Sequence, residues 1–397
     1  MPNLLFATLG SLGDVRPLLC IAILATQRGH NVTFATSDSF RPIVEAHGIR
    51  YVAFGSDGYF EDCDTRASLV EPRTGFAQFM ALSNLRDIEA LFGRLDELAK
   101  DADGIVSTPL VMPAHLVAQR RKLPLISCAL SPAMLRANWG ATTFDPYAGE
   151  WRRCLNKLRL SAGLPRRTFP QMERYSADLM LGVYPKCLTS TGESFIRAPC
   201  EVGYPFLEEF GNEEDGEHDE LLEWMGDRQC VLVSFGSFVD EGAVRIFDCA
   251  TKACAALGYR LLFVSKYRAD ELAHLEGADV RVEHYVPHRV AMRRSALVVH
   301  HCGVGTLAAA AAAGRPMVAV PFGLDQIYNA EVIRRRDLAE TLPSHSVTYE
   351  HFCNALIDAL DRWPERERRW RSWLDDGGDT SAQRVIELVE AVLPSYL

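Results

Sequence analysis

No apolar run in these 397 residues approaches the roughly 20 that a helix needs to cross a bilayer. Met1-Pro2-Asn3 leads straight into Leu4-Leu5-Phe6, without the basic segment and cleavage site of a secretory leader. Both absences predict a cytoplasmic protein with no transmembrane segment. Basic residues are not in excess. The formal charge is −10, whereas a protein that coats nucleic acid needs a basic face to neutralise phosphates. No nucleic-acid partner is expected, and an anionic ligand has to be held locally, by backbone amides and a few side chains. The eleven cysteines form no CxxC pair, so neither a zinc ribbon nor a redox motif is indicated, and their scatter through apolar stretches reads as small core residues. Short repeats, Gly-x-Ser-x-Gly elbows, Walker loops and EF-hand loops are missing. His284 and His288 have a metal-like spacing, but Pro287 stands between them and no acid completes a site, so no metal is predicted. Nothing signals an oligomeric state.

What is present is 48% hydrophobic and 24% charged, enough for two domains of ordinary size. Short apolar or β-branched runs alternate with amphipathic ones. Strands are expected at residues 3–9, 31–35, 51–54, 104–107 and 125–130, and helices from Pro17, through Glu45 and over 114–121. Pro17 suits a first helical turn. Residues 131–200 are less regular. A second alternating series brings strands at 231–235, 260–264, 280–286, 297–300 and 317–320, with a helix over 244–257. The pattern predicts an α/β protein with two doubly wound parallel sheets. The Gly-, Glu- and Asp-rich stretch over 208–219 suits an exposed linker, which sets the units at 1–210 and 211–379. Residues 384–393 carry apolar side chains on one face, and such a helix needs a surface to cover.

The most informative stretch runs from His300 to Glu331. A strand that ends in His301-Cys302-Gly303-Val304-Gly305-Thr306 and feeds a helix offers free N–H groups and a positive dipole end to phosphate oxygens. Gly303 and Gly305 permit close approach, Thr306 adds a hydroxyl, and His301 can donate to a diphosphate. The same residues also fit a tight turn, or a dinucleotide fingerprint with Asp325 twenty residues after Gly305. Only about one clear strand follows, which argues against a nicotinamide or flavin enzyme.

Taken with Gly314-Arg315-Pro316 and the Pro321, Asp325, Gln326, Asn329 and Ala330 pattern, this segment resembles the donor signature of nucleotide-sugar glycosyltransferases with the GT-B fold. The likeness is to their bacterial branch: sterol and macrolide glucosyltransferases, antibiotic aglycone glycosyltransferases and rhamnolipid rhamnosyltransferases. It implies a GT-B fold, two facing Rossmann-like domains with a cleft between them. The N-terminal domain would hold the acceptor, the C-terminal one the nucleotide sugar, and the final helix, 380–397, would pack back on the first domain.

Carried over residue by residue, the resemblance gives Ser237, His301, Gly303, Val304, Gly305 and Thr306 to the diphosphate, and Asp325 and Gln326 to the sugar hydroxyls. Tyr285, Val286 and His288 go to the base, with His288 in place of the family's usual Gln. Ala309 stands where plant members have a ribose-binding glutamate. From the residues alone, Ser237 also suits a helix cap. Gly10-Ser11-Leu12-Gly13-Asp14-Val15-Arg16-Pro17 resembles the family loop whose aspartate serves as general base, which assigns Asp14; a first-turn helix acid is the plainer alternative.

The implied activity is inverting, metal-independent transfer of a hexose or deoxyhexose from a UDP- or dTDP-sugar to a hydroxyl of a small hydrophobic acceptor, with no cofactor. Ser11, Phe60, Phe79, Met80, Trp139 and Tyr184 are candidates for the acceptor pocket, or for ordinary core. A sugar-nucleotide epimerase of the same fold and a non-catalytic nucleotide-sugar-binding subunit are the alternatives.

Overall fold

Two parallel sheets organise the chain. The computed structural model describes residues 1–136, 145–189, 194–207, 219–226, 229–236, 242–265, 272–374 and 381–393. The first sheet has seven strands: β1 (Asn3–Ala7), β2 (Asn31–Thr36), β3 (Arg50–Ala53), β4 (Gly104–Ser107), β5 (Leu125–Ala129), β6 (Leu179–Gly182) and β7 (Cys200–Glu201), in the order β3-β2-β1-β4-β5-β6-β7. The second has six: β8 (Cys230–Ser234), β9 (Arg260–Val264), β10 (Val280–Glu283), β11 (Leu297–His300), β12 (Met317–Ala319) and β13 (Glu340–Thr341), in the order β10-β9-β8-β11-β12-β13. Strands β4, β5, β8 and β11 are buried at every position, as expected of parallel strands covered on both faces, and their sequences are mainly apolar.

Both sheets reverse direction of winding at their centre. In the first, β1 pairs with both β2 and β4; in the second, β8 pairs with both β9 and β11, with Ser234 opposite His300. At such a switch point the loops leaving the carboxyl ends of the two central strands diverge and leave a crevice. The Gly303-Val304-Gly305 loop follows β11, the fourth strand of its sheet in chain order. A dinucleotide fingerprint belongs on the first βα turn, so strand order excludes that reading. Two strands, β12 and β13, follow the loop, where about one was expected.

The first helix spans Leu12–Gln27 and encloses Pro17 instead of opening at it. Ser11 is its N-cap, and Asp14 completes a capping box from the third helical position, which starts the helix five residues earlier. Pro17 then offers no N–H to the carbonyl of Gly13, at the end of the helix that faces the crevice.

The helix Ser381–Val392 packs on the Leu12–Gln27 helix of the first unit, burying Val385, Ile386 and Val389. Glu390 fixes its polar side, accepting from Arg28 Nη1 at 2.8 Å and lying 2.9 Å from His30 Nε2. Further ties join the units: the Tyr328 hydroxyl donates to the Leu188 carbonyl at 2.9 Å, and the Arg136 guanidinium lies 4.8 Å from the Tyr328 ring centroid. Among the described residues no helix is long and apolar enough to cross a membrane.

Candidate active site

A cavity of about 590 Å³ lies where the loops after β1, β8, β11 and β12 meet. Its first-unit wall is mainly apolar, built by Phe40, Ile43, Phe60, Phe76, Phe79, Leu110, Leu130 and Met134, with Ser39 and Asp57 as its polar part. Its second-unit wall carries Gly236, Tyr285, His288, His301, Gly303, Val304, Gly305, Thr306, Asp325 and Gln326. Ser11 and Asp14 stand on the rim between the two.

Asp14 is held by the turn that begins its helix. Its Oδ2 accepts from the Ser11 N–H at 2.8 Å and from the Ser11 hydroxyl at 3.1 Å. Gly10, at φ 121°, makes room for this, because a Cβ there would strike the Asp14 carboxylate. The residue is half-buried. Desolvation pushes its pKa up to about 7 against the two Ser11 hydrogen bonds, and the charge of Asp325 adds to the rise. The first-turn acid and the base candidate are therefore one residue: a capping-box aspartate whose carboxyl faces the cavity.

His301 occupies a slot between two glycines. A Cβ on Gly303 would collide with its Nε2, and one on Gly236, at φ 65°, would lie 2.8 Å from its ring. The imidazole is buried, its Nδ1 is 3.4 Å from the Ser234 carbonyl, and desolvation lowers its pKa to about 4. A neutral ring carries one proton, either on Nδ1 toward that carbonyl or on Nε2. Gly303 caps the helix Val304–Ala312, so the unpaired amides of that first turn open on the cavity.

Asp325 opens the helix Asp325–Arg335. Its pKa is raised to about 6 by desolvation, opposed by its hydrogen bond from Asn329 Nδ2 at 3.0 Å. The same amide donates to the Cys302 carbonyl at 3.0 Å, and Asn329 Oδ1 accepts from the Ser131 hydroxyl at 3.3 Å. One fully buried side chain thus joins the sugar candidate, the phosphate loop and the first unit. Gln326 lines the cavity, but its Oε1 accepts from the N–H groups of Phe322, at 2.9 Å, and Gly323, at 3.3 Å. It holds the loop that presents Asp325. Between them Leu324 sits at φ 53°, ψ −135°, a backbone state costly for a non-glycine residue.

The expected base-binding residues divide. Tyr285 is 40% exposed and faces the cavity. His288 lines it too, with Nδ1 3.1 Å from the Val286 carbonyl and Nε2 3.4 Å from the Ser234 hydroxyl, and burial pulls its pKa down to about 4. Val286 has its side chain in the core and its carbonyl 3.1 Å from His288 Nδ1, which leaves its backbone as the part that could meet a base. Met80 and Tyr184 belong to the buried core and do not line the cavity, and the Tyr184 ring lies against Gly182. Phe60 and Phe79 do line the cavity, as does Phe76, which the sequence reading passed over. Trp139 and Ser237 lie outside the described residues. Arg16 and Asn329 were also missed, although the i, i+4 spacing of Asp325 and Asn329 on one helical face was legible.

The family description "Erythromycin biosynthesis protein CIII-like, C-terminal domain" matches residues 261–391. Oleandomycin glycosyltransferase from Streptomyces antibioticus is 26% identical over 405 aligned positions, covering 96% of this chain and 89% of that protein. Sterol 3-beta-glucosyltransferase from Debaryomyces hansenii is 23% identical over 90% of this chain, which spans only 25% of that protein's length. Among solved structures, a calicheamicin glycosyltransferase superposes with a TM-score of 0.75 at 20% identity over 98% of both chains. The chain has the GT-B fold. A second GT-B structure, the glycosyltransferase VinC in complex with dTDP, superposes with a TM-score of 0.70 at 16% identity, again over 98% of each chain. In GT-B terms the apolar wall belongs to the N-terminal domain and the His301 and Asp325 wall to the C-terminal one.

Proposed function

We propose that the chain is an inverting glycosyltransferase that moves a hexose or deoxyhexose from a UDP- or dTDP-sugar to a hydroxyl of a small hydrophobic acceptor, a natural product or lipid. The observation that carries this reading is the convergence of Asp14, His301 and Asp325 on one cavity whose opposite wall is mainly aromatic and aliphatic.

In the proposed reaction the donor's diphosphate lies against the first turn after Gly303 and beside His301, and its sugar hydroxyls meet the Asp325 carboxylate. The acceptor lies against Phe60, Phe76 and Phe79. Asp14 takes the proton of the acceptor hydroxyl as that oxygen attacks the anomeric carbon, and the bond to the diphosphate oxygen breaks on the opposite face. Configuration inverts, and the nucleoside diphosphate leaves with the bonding electron pair. A base with a pKa near 7 is matched to work at neutral pH. The helix amides, and His301 once protonated, meet the charge on the leaving group, so the proposal calls on no metal or cofactor. An apolar wall that excludes water favours transfer over hydrolysis.

The test is a melting-temperature panel with UDP, dTDP, GDP, NAD and free nucleosides, followed by transfer assays with the matching sugar nucleotides and hydrophobic alcohols. Ligands that bind only the folded chain raise its melting temperature. Stabilisation by a nucleoside diphosphate and glycoside formation are expected. A response to NAD alone, or sugar epimerisation without an acceptor, would overturn the reading.

A further inference from the structure

Arg16 is on the first-unit helix two residues past Asp14, yet it reaches the second unit. Its Nη2 donates to the Tyr285 hydroxyl at 2.9 Å, and its guanidinium carbon lies 5.9 Å from the Tyr285 ring centroid. Both side chains face the cavity. Among the described residues that line it, Arg16 is the one lysine or arginine, whereas the carboxylates are those of Asp14, Asp57 and Asp325.

A nucleoside diphosphate brings several negative charges into that acidic space. His288 and His301 are held neutral at pH 7 by burial, their pKa values lowered to about 4. The N-terminus of the helix Val304–Ala312 supplies roughly half a positive charge. A planar guanidinium supplies a full charge and a fork of N–H donors matched to phosphate oxygens. The Arg16 charge already reaches this wall, because it is one of the causes that depress His288.

We infer that Arg16 is a diphosphate-binding residue contributed by the acceptor side of the cleft, held on Tyr285 until the donor arrives and then forked onto its phosphate oxygens. The inference rests on the nucleotide-sugar reading and deepens it: one wall of the donor site comes from the first unit, so donor binding draws the two units together.

Titration calorimetry with UDP, dTDP, uridine and thymidine tests this on the wild-type chain, Arg16→Met and Arg16→Lys. Arg16→Met is expected to weaken the bound diphosphate by about tenfold or more and to leave the matching nucleoside unchanged, with Arg16→Lys in between. In the wild type, added salt is expected to weaken the diphosphate and spare the nucleoside. That measurement stands even where a variant fails to fold. Unchanged diphosphate affinity in Arg16→Met, equal losses for diphosphate and nucleoside, or salt-insensitive diphosphate binding would each overturn the role of Arg16 alone. Failure of the wild type to bind any nucleoside diphosphate would overturn the donor-site reading along with it.

Discussion

The carboxylate of Asp325, on the second unit, raises the pKa of Asp14 on the first. Asp14 has to be deprotonated to act as base, so transfer is expected to rise with pH through an acidic limb near 7. Replacing Asp325 with Asn removes one negative charge and one cause of the upward shift. The limb of the residual activity should then move to lower pH, as kcat/KM measured from pH 5 to 9 would show. A limb that stays in place would separate the two carboxylates.

Asp14→Asn is expected to lower transfer by about 10²- to 10⁴-fold while a nucleoside diphosphate still raises the melting temperature as in the wild type. Stability should respond in the opposite sense. A carboxyl whose folded pKa lies near 7, above its ordinary 3.8, binds protons more tightly in the folded state, so stability falls as pH rises from about 4 through 7. Asp14→Asn removes that loss, and its melting temperature relative to the wild type should be higher at pH 8 than at pH 5. Retained transfer would remove Asp14 from the chemistry.

For His301, donating to the Ser234 carbonyl through Nδ1 and to phosphate through Nε2 at the same time takes two ring protons. Diphosphate binding is therefore expected to take up a proton, seen as a binding enthalpy that varies with the ionisation heat of the buffer, and to tighten as pH falls below 7. His301→Ala should abolish the uptake and weaken the diphosphate by about tenfold.

Gly303→Ala places a methyl group where His301 Nε2 lies. The imidazole has to leave its slot, and nucleoside diphosphate affinity is expected to drop about as far as in His301→Ala, with little effect on free nucleoside. Equal affinity to wild type would show that the slot does not position the ring.

Asn329→Ala leaves the Asp325 carboxylate, the Cys302 carbonyl and the Ser131 hydroxyl each short of a partner in a buried place. A stability loss of about 2 kcal/mol is expected, together with a further rise of the Asp325 pKa, since the hydrogen bond from Asn329 is the largest of the causes that lower it. Chemical denaturation and the pH dependence of donor binding would register both.

Strands buried on both faces announced themselves in the sequence. Residues 104–107, 260–264 and 297–300 form strands with the expected limits, because an apolar run of that length between turn residues has few other uses. Strand β6 went unseen: Leu179-Met180-Leu181-Gly182 has no β-branched residue, and its conformation comes from pairing with β5. The first helix was misplaced for a local reason, a proline read as a start signal when the capping box upstream outweighed it.

Chain order alone set the two α/β units, the loop positions of Asp14, His301 and Asp325, and the small residues around them, since periodicity, turn chemistry and short motifs are properties of neighbours along the chain. Folding decided the rest. Met80, Tyr184 and Val286 went to the core while Phe76 went to the cavity, because which face of an element meets solvent depends on what packs against it. The bridges from Arg16 to Tyr285 and from Ser131 to Asn329 join residues 269 and 198 positions apart. No local pattern encodes such pairs, which exist only once two separately wound sheets present their carboxyl ends to one crevice.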